Sequence, residues 1–164
     1  MRVRLLAVGT RLPAFVTAGY EEYARRLPRA TPLELHEIPV GGAAATGRGR
    51  SGGAAGRARH GEGERMLAAL ALWPGSYVVA LDVAGRSVDT TALAAWWSRR
   101  LQDGRDLALM IGGPDGLAPA CLERADERLS LSPLTLPHGL ARVVLAEQLY
   151  RVASLAGGHP YHRA

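Results

Sequence analysis

The stretch Leu107-Ala108-Leu109-Met110-Ile111-Gly112-Gly113-Pro114-Asp115-Gly116 decides how the chain is read. Five apolar residues without alternation describe a strand buried on both faces. The strand stops at a turn of glycine, proline and aspartate, residue types suited to tight turns. Ala118-Pro119-Ala120 then opens a short helix. A second apolar segment follows: Leu129-Ser130-Leu131-Ser132-Pro133-Leu134-Thr135-Leu136-Pro137-His138. Two strand ends joined to loops of small residues and prolines suggest a pocket in which backbone holds a ligand.

Working outward, the same alternation recurs. Arg2 to Val8 reads as a buried strand closed by Gly9-Thr10. After Pro13, apolar residues at Phe15, Val16, Tyr20, Tyr23 and Leu27 fall at helical spacing, and Pro28 ends that helix. Glu21-Glu22 and Arg25-Arg26 lie opposite, with acid before base at i,i+4. Leu33 to Ile38 alternates like a strand and stops at Pro39. Gly, Ala, Arg and Ser dominate residues 41–61, which reads as a flexible loop carrying Arg48, Arg50, Arg57 and Arg59. Those arginines suit either an RNA-touching arm or a plain expanded loop.

A helix is expected from about Glu62 to Trp73-Pro74-Gly75, then an apolar strand, Tyr77 to Asp82. Gly85-Arg86 reads as a turn, and Asp89 or Thr90 as the cap of a helix bearing Leu93, Trp96, Trp97 and Leu101. The last helix, about 139 to 155, spreads Leu140, Val143, Val144, Leu149 and Val152 over more than half its circumference. A helix that apolar packs on more than one side, and a homodimer interface is the economical explanation. The whole order implies one α/β domain spanning 1–164: a largely parallel sheet with helices on both faces.

Composition narrows the chemistry. All 20 basic residues are arginine, so a P-loop lysine, a Schiff-base lysine and a lysine general base are excluded. The lone Cys121 rules out an internal disulfide and a multi-cysteine zinc site, and it fits a cytosolic setting. A formal net charge of +5 fits a polyanionic partner such as nucleic acid, or simple solubility. No apolar run approaches the ~18 residues of a membrane span. The N-terminal apolar run is too short for a signal peptide and lacks a cleavage site.

The glycine turn lacks G-x-G-x-x-G spacing, and no G-x-S-x-G elbow or carboxylate pair is evident. His138 is a candidate cap, core residue or proton carrier. Arg142, one turn further along, should look back toward the pocket and wants an anion, either a carboxylate or a phosphate. The tail His159-Pro160-Tyr161-His162-Arg163 is suited to stacking on and hydrogen bonding with a nucleotide. As metal ligands, His159 and His162 lack a nearby carboxylate or cysteine.

Five segments together resemble the ribosomal RNA large subunit methyltransferase H family of the SPOUT superfamily. They are Arg4 to Thr10, Leu109 to Leu117, Leu131 to His138, Arg142 to Arg151 and His159 to Arg163. The resemblance covers nearly the whole chain outside 41–61. It implies a C-terminal trefoil knot, a homodimer, and methylation of pseudouridine N3 in 23S ribosomal RNA by S-adenosyl-L-methionine, with no metal. It places the cofactor on Leu81, Gly112, Gly113, Leu131, Ser132, Pro133, Leu134, Thr135 and Leu136. It gives substrate recognition to the tail residues His159, Tyr161, His162 and Arg163. For catalysis it leaves His138, Arg142, His162 and Arg163, with the base open between the two histidines. The family usually carries a lysine-bearing helical segment where this chain has its Gly/Ala/Arg stretch. A non-catalytic RNA-binding protein of the same fold is the competing expectation.

Overall fold

The computed structural model describes residues 1–41 and 52–157. Five strands and five helices alternate along it. They are β1 (Val3–Val8), α1 (Ala14–Ala24), β2 (Leu33–Ile38), α2 (Gly52–Leu70) and β3 (Tyr77–Ser87). There follow α3 (Thr90–Asp103), β4 (Leu107–Ile111), α4 (Pro119–Arg124), β5 (Glu127–Ser130) and α5 (His138–Ala156). The strands form one sheet in the order β2-β1-β4-β3-β5, every pairing parallel.

Strand β4 is apolar throughout, and β1 is apolar apart from Arg4, because both faces of these strands are covered. On one face Val3, Leu5 and Ala7 of β1 and Leu107, Leu109 and Ile111 of β4 pack with residues of α1, α3 and α5. On the other, Leu6, Val8, Ala108 and Met110 pack with Met66 and Leu70 of α2 and Cys121 of α4. Successive side chains thus alternate between two cores.

Helix α5 lies on the first face, where α1, α3, β1 and β4 all pack against it. Leu145, Ala146, Leu149 and Val152 are buried there, and Val143 rests on Gly19 of α1. Packing within the chain therefore accounts for apolarity on several sides of this helix.

Three elements depart from the sequence expectation. Helix α2 starts at Gly52, ten residues before Glu62, so residues 52–61 are helix rather than loop. Small residues make close contacts at two points of this helix. Ala58 is buried, and a Cβ on Gly41 would come within 2.3 Å of its carbonyl oxygen. Gly63 sits as tightly on Ala118, where a Cβ would meet side chain at 2.5 Å. The proposed arm residues Arg48 and Arg50 lie outside the described residues.

Strand β3 does not end at Asp82. It runs to Ser87, and Leu81 and Arg86 both face Leu129 of β5, so residues 82–85 bulge out between them. Bulges bend a strand and re-aim its side chains. Gly85 is required there because a Cβ would lie 2.6 Å from the Leu129 backbone. Strand β5, conversely, stops at Ser130. Beyond it Pro133 and Pro137 offer no N–H to a ladder, and the chain is held by local bonds. The Ser130 hydroxyl donates to the Ser132 carbonyl at 3.0 Å, and Leu134 N–H donates to Ser132 Oγ at 2.9 Å.

Candidate functional site

Parallel strands point their carboxyl ends the same way, and ligands of such sheets bind beyond those ends. Here the ends of β3, β4 and β5 enclose a cavity of about 580 Å³, within the range of small-molecule sites. Leu81, Asp82 and Val83 form one wall where β3 begins to bulge. Ile111, Gly112, Gly113 and Pro114, with Gly116 and Leu117, form the second. The third is the segment after β5, Ser130 to Ser132 and Leu134 to Pro137, and the first turn of α5 closes the cavity with His138 and Ala141. All the residues expected to hold the cofactor line this cavity except Pro133.

The glycine turn is a packed structure. Gly116 N–H donates to the Gly113 carbonyl at 3.0 Å, and Gly116 has φ +78°. A Cβ on Gly112 would fall 2.4 Å from the Gly116 backbone. Only glycine lets the turn fold back this closely against the end of β4. Behind it, Glu62 of α2 is buried and accepts the Gly41 N–H at 2.9 Å.

His138 is the first residue of α5 and stands on the cavity wall. Burial pushes its pKa below the ordinary histidine value, and the nearby Arg142 cation adds to the shift. It is therefore neutral at pH 7 and can accept a proton.

Arg142 points elsewhere. It is buried, and its guanidinium donates to Glu37 at 2.9 Å and to the carbonyls of Ala7, Val8 and Gly9 at 3.2, 2.9 and 2.6 Å. The anion it wanted is thus a carboxylate of β2, together with the end of β1. It borders a separate hollow with Tyr20 and Glu37. Gly9, at φ +116°, makes room for this: a Cβ would sit 3.3 Å from the guanidinium and 3.4 Å from His138 Nε2. His159, Tyr161, His162 and Arg163 lie outside the described residues.

The strand end Leu81-Asp82 is one of three that the sequence offers for a ligand, but the cofactor residues implied by the resemblance include Leu81 without Asp82. The missing information was the bulge, which a turn expected at Gly85-Arg86 concealed. Ser130, Gly116, Leu117 and Ala141 were also not foreseen. Ser130 ends β5, Gly116 and Leu117 lie in the connection after β4, and Ala141 is in α5, so only tertiary contact gathers them.

Residues 1–162 match the family described as Predicted SPOUT methyltransferase. The chain belongs to the SPOUT methyltransferase family. A curated relative from Alkalilimnicola ehrlichii, named Ribosomal RNA large subunit methyltransferase H, is 56% identical to this methyltransferase over 164 residues, covering 100% of both chains. A crystal structure of a probable methyltransferase from Bordetella pertussis Tohama I covers 93% of this chain and 96% of that one. Its TM-score of 0.57 at 19% identity speaks to the fold alone. A methyltransferase needs a methyl donor. No group of metal-ligating side chains occurs among the described residues, and none of their helices is long and apolar enough to cross a membrane.

Proposed function

We propose that the protein transfers the methyl group of S-adenosyl-L-methionine to N3 of a pseudouridine in 23S ribosomal RNA. The carrying observation is the cavity of about 580 Å³ at the strand ends, walled by backbone-rich turns, in a chain of methyltransferase family. The substrate class rests on the name of the 56% identical relative.

The residues present fit the donor. The cavity offers apolar surface for an adenine ring from Leu131, Leu134, Leu136 and Leu117, and Asp82 for a cation. Leu81, Gly112 and the run Leu131 to Leu136 would hold it, largely by backbone. When bound, it supplies an electrophilic methyl group on a positively charged sulfur.

The chain itself positions and moves a proton. Loss of the N3 proton accompanies the attack, and His138 is neutral, half-buried and on the wall, so its ring nitrogen can take that proton. Arg142 adds to the effect of burial in disfavouring the charged form of His138 and ties the first turns of α5 to the end of β1, which makes it a positioning residue. His162 is the second candidate base. Arg163 would stabilise the anion developing on the nucleobase, and His159 and Tyr161 would read the nucleotide from the cavity of the second protomer.

A homodimer agrees with exposed apolar residues on α1 and α5. Phe15 of α1 is 64% exposed and Leu140 of α5 is 38% exposed. Their helices meet where Gly139 packs on Leu12 and Val16. The trefoil knot agrees with the path of residues 131–137. That path leaves edge strand β5, passes the ends of β3 and β4, and delivers α5 beside Gly9 of β1. Ribosomal RNA as substrate places the protein in the cytoplasm.

Mass mapping of 23S ribosomal RNA after incubation of ribosomes with the protein and labelled donor tests this reading. One added methyl on a pseudouridine is expected. Calorimetric binding of the donor without any methylation, on ribosomes or free RNA, would favour a non-catalytic RNA-binding role instead.

A further inference from the structure

Two ionisable side chains stand on the cavity wall among the described residues, Asp82 and His138. The rest of that wall is glycine, proline, alanine, apolar residues, serine and threonine. His138 is neutral at pH 7 because burial and Arg142 disfavour its charged form. The Arg142 guanidinium is engaged by Glu37 and three carbonyls, outside this wall. One carboxylate therefore sets the charge of the described wall.

Asp82 is held for this task. It stands where β3 departs from its ladder with β5, so its side chain meets the cavity. Its Oδ1 accepts the Ala84 N–H at 2.8 Å, which fixes the carboxylate and leaves Oδ2 for a ligand.

We propose that Asp82 is the counter-charge for the cationic part of the methyl donor, so that the cavity ranks its ligands by charge. This rests on the methyl-donor reading of the cavity and deepens it. The donor carries a sulfonium and an ammonium. On transfer the carbon–sulfur bond breaks, its electron pair stays on sulfur, and the methyl carbon bonds to the acceptor nitrogen, which releases its proton. The sulfur is then neutral. A carboxylate facing the sulfonium grips the donor more firmly than the spent product, whereas one facing the ammonium, which both carry, holds the two alike and favours either over an uncharged nucleoside.

Calorimetry on the full-length protein tests this with three ligands: S-adenosylmethionine, S-adenosylhomocysteine and 5′-methylthioadenosine. The last keeps adenine and ribose and carries no cation. Asp82→Asn preserves an oxygen for the Ala84 N–H and removes only the charge. It is expected to weaken S-adenosylmethionine about tenfold and leave methylthioadenosine within about twofold. A loss confined to S-adenosylmethionine assigns the carboxylate to the sulfonium, and an equal loss for the homocysteine product assigns it to the ammonium. Either supports the proposal. Equal weakening of all three ligands would mean that Asp82 reads the ribose or merely shapes the bulge, and would overturn it, as would no weakening of any. Wild-type protein that binds none of the three would overturn the methyl-donor reading itself.

Discussion

The two ends of the parallel sheet are finished by different means. At the amino end, side chains distant in sequence staple the strands together. Asp106 accepts the Arg2 N–H at 2.8 Å and an Arg4 guanidinium N–H at 3.0 Å. Asp126 accepts the Val78 N–H at 2.8 Å, and Arg105 donates to the carbonyls of Gly75 and Ser76. Tyr77 lies near Arg100 and Arg105, whose guanidinium carbons are 4.0 and 5.3 Å from its ring centre. At the carboxyl end, the cavity wall is held by short-range bonds: Asp82 to Ala84, Ser132 to Leu134, Gly116 to Gly113. Long-range polar pairs close one end. Local turns shape the other and leave room beyond the strands for a ligand. Arg142 is the largest exception at the open end, since it reaches from α5 to β1 and β2, while Glu62 accepts the Gly41 N–H behind the glycine turn.

The largest expected effect comes from breaking that exception. Arg142→Ala leaves Glu37 and the buried carbonyls of Ala7, Val8 and Gly9 without their donor. A loss of about 3–5 kcal/mol in denaturant unfolding is expected. A loss below about 1 kcal/mol would show that water substitutes for the guanidinium.

Gly112→Ala attacks the open end alone. A Cβ 2.4 Å from the Gly116 backbone forces the turn apart. We expect donor binding to fall below calorimetric detection while stability drops by roughly 1–3 kcal/mol. Retained affinity would show that the cavity does not depend on the folded-back turn.

Asp106→Asn attacks the stapled end. Its midpoint of thermal unfolding should fall by a few degrees, with donor affinity unchanged. The Arg2 N–H chiefly holds the Asp106 pKa below the usual 3.8, and Arg4 assists against the opposing effect of burial. A carboxylate with a lowered folded pKa stabilises above its unfolded value and loses that contribution as pH falls through the folded one. The variant should therefore lose less stability than wild type as pH drops below about 4.

The smallest effect belongs to His138→Gln. A histidine whose folded pKa lies below the ordinary 6.5 resists protonation when folded. The unfolded chain binds more protons there, so wild-type stability declines as pH falls from 6.5 toward the lowered value. Chemical denaturation at pH 7 and pH 5 should show a smaller difference for the variant. If His138 also takes the substrate proton, methyl transfer falls with it while donor affinity stays. An unchanged rate would move that role to His162.

Much of this was legible in the primary structure. Uninterrupted apolar runs such as Leu5–Val8 and Leu107–Ile111 are what a doubly covered parallel strand requires, and the alternation with helical periods implied the layers. The turn at Gly112 to Gly116 announced itself through residue types that few other structures tolerate. Misreadings came where glycine has two meanings. The Gly/Ala composition of 52–61 reads as flexibility, yet the segment is helix, with Ala58 packed on Gly41 and, further along α2, Gly63 packed on Ala118. Gly85 reads as a reversal, yet it relieves a clash inside a strand.

The sequence by itself determined the ten elements in order, the parallel α/β class and the loops that ring the cavity. It could do so because burial on two faces and tight turns each demand residue types within a few positions. Tertiary structure alone decided that Arg142 serves Glu37 and the end of β1 while His138 faces the cavity. It also decided that the bulge turns Asp82 onto the wall. Those assignments depend on groups more than a hundred residues apart, or on neighbouring strands, and no local pattern encodes them.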